Sequence, residues 1–380
     1  MPFFFKLSVL LMFCAQLIAC EANPAISGQL SSNHRLPGHH RDDGFTNSDG
    51  SRVNKPLSEL FRWWWSRKDL DLQALVAPDR IKAAWDQMPK AWRSDVPAEK
   101  PSGNRAHALA NQGHEVQWLG HATIFLRIGE TRILTDPQFS ERASPLSWIG
   151  PKRLHPIPVA VAELGRIDYI VISHNHYDHL DLPTLRQIAM QSGGPPLMLV
   201  PLGVDSWLRE EGFERVIGLD WWQQNKQGEF AFNFVPAHHW SGRGLFDRNK
   251  TLWGGWVLEH PKFRFYFAGD TGWSEDVIEI AKRFAPFDLA AIPVGAYEPR
   301  WFMATQHINP HEAVRMHQAL GGPLSLGIHW GTFQLTDEAY EDPIKELIEA
   351  LKHQAIPLDR FRLFVPGQKM TLEPSIHRGD

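Results

Sequence analysis

Two rhythms of apolar residues alternate along most of this chain. Short apolar runs bounded by polar residues or glycine predict strands. They are EVQWLGHATIFLRI (115–128) paired with TRILT (131–135), IDYIVIS (167–173), FAFNFVPA (230–237), LWGGWVLE (252–259), FRFYFAGD (263–270), DLAAIPVG (288–295) and LSLGIHW (324–330). Helical spacing appears between and after them. In SEDVIEIAKRF (274–284), Val277, Ile280, Ala281 and Phe284 recur on one face, with Ser274 as the N-cap. In NPHEAVRMHQALGG (309–322), Asn309 caps, Pro310 fits the first turn, Glu312 completes a capping box and Gly321 stops the helix. PIKELIEALKH (343–353) repeats the theme from Pro343. Strands alternating with helices predict a single α/β domain over residues 57–380, with no internal repeat.

The N-terminal stretch breaks this pattern. MPFFFKLSVLLMFCAQLIAC carries one basic residue, Lys6, and then an apolar run from Leu7 to Ala19. That run is too short to span a bilayer and reads as a secretion signal over residues 1–20. Its end, Leu17-Ile18-Ala19-Cys20, resembles the lipobox of bacterial lipoproteins. The resemblance implies lipidation of Cys20 and an extracytoplasmic, membrane-anchored protein facing the periplasm, on the outer membrane in preference to the inner. An ordinary cleaved signal is the alternative. Residues 21–56 show no apolar period and are rich in Ser, Gly, Asn, Asp and Pro, so they read as a flexible polar linker. Such a chain spans roughly 30 to 35 Å on average. Its histidines, His34, His39 and His40, are read as solvated linker residues, with weak metal binding as the alternative.

Composition narrows the function classes. The cysteines are Cys14 and Cys20, which leaves neither a disulfide framework nor a thiol nucleophile for the folded body. A net charge of −4 provides no basic field for nucleic acid. With 43% hydrophobic and 22% charged residues the chain can bury a sizeable core. Sixteen tryptophans and 22 phenylalanines suit either a wide apolar groove or an aromatic core. FRWWW (61–65) is open between an interfacial membrane contact and a packed N-terminal helix.

The strongest chemical signal is ISHNHYDHLD (172–181). His174, His176 and Asp178 are spaced by two and His179 follows at once. Residues two apart diverge on a helix, so this is not a helical ligand pair. On a loop leaving a buried strand the four side chains can converge. Burying them together is costly unless a divalent metal is present, and imidazole and carboxylate are both zinc ligands. Four ligands exceed what one catalytic zinc takes while keeping a position open for water, which suggests two metals. Further ligands stand behind later strands: His238 and His239 in FVPAHHW, Asp270 in YFAGDTG and His329 in LGIHWGT.

HxHxDH, a later His, a Gly-Asp-Thr and a final His resemble the pattern of the metallo-β-lactamase-fold hydrolases. The blocks WLGHAT, LTDPQFSERASP, GPKR, LDWW, AGDTGW, RFAPFDLAAIPVGAYEPRWFM and IHWGTF resemble the N-acyl-phosphatidylethanolamine-hydrolysing phospholipase D group, over roughly residues 60–370. The resemblance implies an αβ/βα four-layer sandwich with two central mixed sheets. It implies two Zn2+ per chain, the first held by His174, His176 and His239, the second by Asp178, His179 and His329, with Asp270 bridging. His239 is preferred to His238 because the family ligand stands immediately before Trp. A hydroxide shared by two zincs about 3.5 to 4 Å apart would attack phosphorus, releasing phosphatidic acid and N-acylethanolamine. Asp178, Asp270 and His307 are then the catalytic candidates, and Tyr297, Arg300, Gln306 and His307 the substrate-binding ones. His121 is expected behind the ligands, and Lys152 and Arg153 at anionic lipid or capping a loop. The partners implied are a membrane phospholipid and the membrane surface, with a homodimer left open. Other readings are a hydrolase of another ester (lactone, β-lactam or cyclic phosphodiester) and a zinc-binding envelope lipoprotein. The last would need a closed structural site, usually rich in cysteine.

Overall fold

The computed structural model describes residues 37–67, 70–93 and 113–373. The signal, the lipobox with Cys20, and residues 21–36 of the expected linker lie outside them. Two seven-stranded sheets face each other. A small hairpin, β1 (His40–Arg41) and β2 (Gly44–Phe45), precedes them. The first sheet has the order β16 (Lys369–Leu372), β3 (His114–Gly120), β4 (Thr123–Ile128), β5 (Thr131–Thr135), β6 (Tyr169–Val171), β7 (Leu197–Pro201) and β8 (Val216–Leu219). The second has β15 (Phe361–Arg362), β14 (Leu324–Ile328), β13 (Leu289–Pro293), β12 (Phe263–Phe267), β11 (Gly255–His260), β10 (Phe230–Val235) and β9 (Gln224–Gln227). In each, an antiparallel meander runs on into parallel strands. Helices cover the outer faces, so the expected αβ/βα layering with two mixed sheets is what the chain adopts.

The two faces of the first sheet can be read from its alternation. Ile124, Leu126, Ile128, Ile133, Val171 and Leu199 point into the core between the sheets. Their neighbours Phe125, Leu134, Ile170, Ile172, Met198 and Val200 point outward. There they meet the helices Leu182–Ala189 and Val204–Glu210 through Leu185, Ile188, Val204 and Leu208. Burial on both faces explains why these strands read as continuous apolar runs. Six of the sixteen tryptophans are buried in this interior, and Trp92, Trp118, Trp253 and Trp256 are fully buried. Trp118 of β3 stacks on Trp330 just beyond β14, with centroids 5.5 Å apart and planes within 5°. This pair ties one sheet to the other.

Local chemistry sets the ends of elements. Asn309 Oδ1 accepts from the Glu312 amide and Glu312 Oε2 from the Asn309 amide, each at 2.9 Å, which starts the helix Pro310–Ala319. The helix Asp276–Phe284 begins one residue later than expected. Its N-cap is Glu275, and Ser274 donates to Asp276 Oδ2 at 2.9 Å. The run 115–128 is two strands, because the chain reverses at Gly120 (φ 113°) and His121 (φ 53°). A Cβ at Gly120 would lie 2.9 Å from the Arg153 guanidinium, so glycine is required there.

FRWWW sits on the helix Leu57–Ser66, which packs against the domain. Trp63 is buried, stacks on Phe302 at 4.9 Å and donates its indole N–H to Asp337 at 2.9 Å, while Phe61 and Trp65 are exposed. Residues 37–56 correct the linker expectation. They form a strap over the domain, held mainly by polar groups, with Val53 buried and Phe45 packed against the core. His39 and His40 bond to Asp220 at 2.7 and 2.8 Å, the Phe45 amide to Asn249 O at 2.8 Å, and Asn47 is fully buried. Among the described residues no helix is long and apolar enough to cross a membrane.

Candidate metal centre

Loops at the strand ends of both sheets meet over the seam between them. The loop after β6 brings His174, His176, Asp178 and His179, and those after β10, β12 and β14 bring His239, Asp270 and His329. Two donor sets result. In the first, His176 Nδ1 lies 2.7 Å from His174 Nε2 and 3.4 Å from His239 Nε2. In the second, Asp178 Oδ2 lies 3.4 Å from both His179 Nε2 and His329 Nε2. Asp270 Oδ2 stands between the sets. It is 3.1 and 3.0 Å from His179 and His329, and 3.9 and 3.7 Å from His174 and His239.

The electrostatics ask for added positive charge. Burial, reinforced by the neighbouring imidazoles, holds His174 and His176 well below the ordinary histidine range. Burial likewise drops His239 to about 4. Burial opposes charge on His179 and His329 too, but the Asp270 and Asp178 carboxylates outweigh it. They lift His179 well above its usual value and His329 to about 9. Such carboxylates draw protons onto imidazoles that a metal would otherwise hold. Among the described residues, Asp270 Oδ1 is buried without a hydrogen-bond partner, and His179 Nε2 and His329 Nε2 crowd the Asp270 and Asp178 carboxylates without a well-formed hydrogen bond. Buried donors and acceptors of this kind are rarely left unmet, and divalent metal satisfies them together. The residues fit a pair of zinc-class ions.

A supporting layer orients these ligands. Asp136 Oδ2 bonds His179 Nδ1 at 2.7 Å and accepts the Ser173 hydroxyl at 2.6 Å, while Asp136 Oδ1 accepts the Ser173 amide at 2.7 Å. His121 Nε2 bonds Asp178 Oδ2 at 2.8 Å, His239 Nδ1 donates to Gln306 O at 3.0 Å, and Asn47 Oδ1 accepts the His239 amide at 3.0 Å. Arg243 donates to Asn175 O (2.8 Å) and Leu180 O (2.7 Å), bracketing the metal-bearing loop. Such partners set ligand orientation and tautomer. Sequence reading missed Asp136, Asn47 and Arg243 in these roles. Only Asp136 left a signal, the TD at the end of an apolar run beside the one that leads to His174.

A cleft of about 720 Å³, open solvent at its mouth included, reaches the centre. Ala143, Pro151, Trp240, Met303 and Leu335 give it apolar walls, and Gln306 and His307 line it. His307 Nδ1 is buried 4.0 Å from Asp270 Oδ2, with no hydrogen-bond partner among the described residues. Tyr297 and Arg300, expected at the substrate, are committed inside the fold instead. Tyr297 donates to Glu346 at 2.8 Å, and Arg300 donates to Glu312 at 2.7 Å and to His307 O at 2.8 Å. His238 turns away, to Thr305 O at 2.8 Å and Ser51 at 3.2 Å. Lys152 pairs with Glu141 at 2.9 Å, and Arg153 lies buried against Gln138, so both serve their loop.

Comparison with known proteins agrees with this geometry. Residues 131–330 match the Beta-lactamase superfamily domain. An uncharacterized protein of Mycobacterium tuberculosis is 42% identical over 331 residues, 85% of this chain and 83% of its own. N-acyl-phosphatidylethanolamine-hydrolyzing phospholipase D 1 of Caenorhabditis elegans is 39% identical over 279 residues, 69% of this chain and 76% of its own. Among solved structures, isothiocyanate hydrolase from Delia radicum gut bacteria shares the fold. Its TM-score is 0.53 at 21% identity, over 68% of this chain and 99% of that one.

Proposed function

From the premise that the chain belongs to the metallo-β-lactamase superfamily of metal-dependent hydrolases, we propose that it is a dinuclear zinc phosphodiesterase. Its substrates are phospholipids of the N-acyl-phosphatidylethanolamine type. The observation that carries this reading is Asp270 Oδ2 between two three-ligand sets at the floor of an apolar-walled cleft. His174, His176 and His239 would hold one ion, and Asp178, His179 and His329 the other. Two zinc ions supply Lewis acidity toward a phosphoryl group and toward water. The likeness to the nematode phospholipase favours this substrate class over a lactone, a β-lactam or a cyclic phosphodiester.

The chain's own groups then divide the work. The apolar walls take the acyl chains and exclude water. His307 offers its buried Nδ1 to a phosphoryl oxygen, with Gln306 beside it. Asp178, fixed by His121, takes a proton from the attacking water. The new phosphorus–oxygen bond forms as the bond to the N-acylethanolamine oxygen breaks, and that oxygen takes up the proton that left the water, giving N-acylethanolamine and phosphatidic acid. Lipidation at Cys20 would hold the body at the periplasmic face of the outer membrane, beside its substrate.

The test offers purified, zinc-replete protein N-acyl-phosphatidylethanolamine in detergent, beside Asp270→Asn. Release of phosphatidic acid and N-acylethanolamine by the wild type and not the variant supports the reading. Zinc-replete protein that leaves the lipid intact overturns the substrate assignment.

A further inference from the structure

The strap carries a second cluster of ligand-type side chains, remote in sequence from the centre already described and beyond the function proposed for it. His39 Nε2 lies 2.7 Å from Asp220 Oδ1, and His40 Nε2 lies 2.8 Å from Asp220 Oδ2. All three ligand atoms fall within 4.8 Å of one another. We propose that His39, His40 and Asp220 form a further divalent-cation site of zinc class, which clasps the N-terminal strap to the loop after β8.

Consecutive side chains on an extended strand point to opposite faces. His39 and His40 nevertheless converge on one carboxylate, because His39 lies within a turn that ends at His40: the His40 amide bonds Pro37 O at 3.0 Å. Each group is held in place before any ion arrives. The His39 ring stacks on Trp221 with centroids 4.2 Å apart, and His40 stands edge-on to Phe45 at 5.0 Å. Asp220 Oδ1 also accepts the Trp221 amide at 2.8 Å, while the Asp220 amide donates to Gln223 Oε1 at 2.9 Å.

Charge makes the same point. Asp220 is buried, and among the described residues its ion-pair partners are these two histidines and no lysine or arginine. A buried carboxylate with no lysine or arginine against it is a place where a dication compensates charge. In the Nδ1–H tautomer each imidazole turns an Nε2 lone pair toward the ion. Two imidazoles and a carboxylate are a zinc-type donor set, and the partly exposed His40 leaves room for water as a fourth ligand. Ligand bonds of about 2 Å in a tetrahedron place donor atoms about 3.3 Å apart, so the clasp would open by about half an ångström.

The experiment counts metal retained after zinc loading and desalting, in the wild type, His40→Ala and Asp220→Asn. Far-ultraviolet circular dichroism checks that each is folded. The proposal expects the wild type to keep one more equivalent than either variant. It also expects the cobalt-loaded wild type to show a visible band that both variants lack. Folded variants with wild-type metal content and spectrum overturn it and leave the clasp as hydrogen bonds alone. Should a variant not fold, cobalt titration of the wild type decides, since saturation with no equivalent beyond the Asp270-centred pair also overturns it. Lipid hydrolysis by His40→Ala is measured in parallel, so a failed substrate assignment and a failed clasp give separate results.

Discussion

Asn47→Ala tests whether the strap positions a metal ligand. Asn47 Oδ1 accepts the His239 amide at 3.0 Å and the Trp253 indole N–H at 3.1 Å, and Asn47 is fully buried. The indole keeps a second acceptor, Ala237 O at 3.0 Å, so its loss is partial. The His239 amide is left without that oxygen in a dry interior, which costs about 1–3 kcal/mol. With a shared bond worth about 0.5 kcal/mol more, Asn47→Ala should destabilise the chelated protein by about 1.5–3.5 kcal/mol. A loosened His239 should also weaken zinc binding by about 10–100-fold, as loss of a ligand's supporting partner typically does. At saturating zinc that adds about 1.4–2.7 kcal/mol to the gap between variant and wild type. Urea unfolding, with chelator and with excess zinc, measures both terms. Asn47→Asp keeps an oxygen acceptor and should recover part of the loss. A variant within about 0.5 kcal/mol of wild type under chelation would refute the hydrogen-bond account. A gap that does not widen with zinc would refute the link to His239.

Two further changes probe the second sheet. A Cβ at Gly295 would lie 2.1 Å from His329 O and 2.9 Å from Trp330 Cα. Gly295→Ala should therefore displace the His329 loop and lower zinc content and stability together, by about 1–3 kcal/mol or more for the latter; intact zinc content would count against this. Burial pushes His317 down to about 4, helped by Arg360. Its folded-state pKa is thus below the unfolded value, so its neutral form stabilises the fold above about pH 6.5. That contribution, of order 3 kcal/mol, is lost as pH falls from about 6.5 through 4. His317→Gln should flatten this part of the pH–stability curve in urea titrations, and an unchanged slope would sink the assignment.

Features written in consecutive residues were legible. An apolar strand leading into HNHYDH announced a ligand loop, and the Asn309–Glu312 box announced a helix start, because the forces involved act over a few positions. Long-range features were not. The strap looked like a linker because it is poor in apolar residues, yet Asp220 stands 180 residues from His40 and His239 stands 192 from Asn47. Pairing at such range leaves no periodicity. Tyr297 and Arg300 show the converse error: a distinctive local block suggested contact with substrate, while Glu346 and Glu312 had already claimed both side chains. Gly120 and His121 lay inside a single strand-like stretch, and only the folded chain shows the positive φ of both and the Arg153 side chain that leaves no room for a Cβ at residue 120.

The centre is built half from each sheet, and the halves are stitched by main chain as well. The His329 amide bonds His121 O at 3.0 Å, and the Gly254 amide bonds Ser173 O at 3.0 Å. A breathing motion that parts the sheets by an ångström would leave every strand paired within its own sheet, yet would separate Asp178 from His329. Metal escape should thus be gated by the seam, and its rate should read openings too brief and too rare for spectroscopic probes of unfolding. Substitutions at the Trp118–Trp330 stack would then surface first as leakiness toward a chelator, well before any loss of secondary structure.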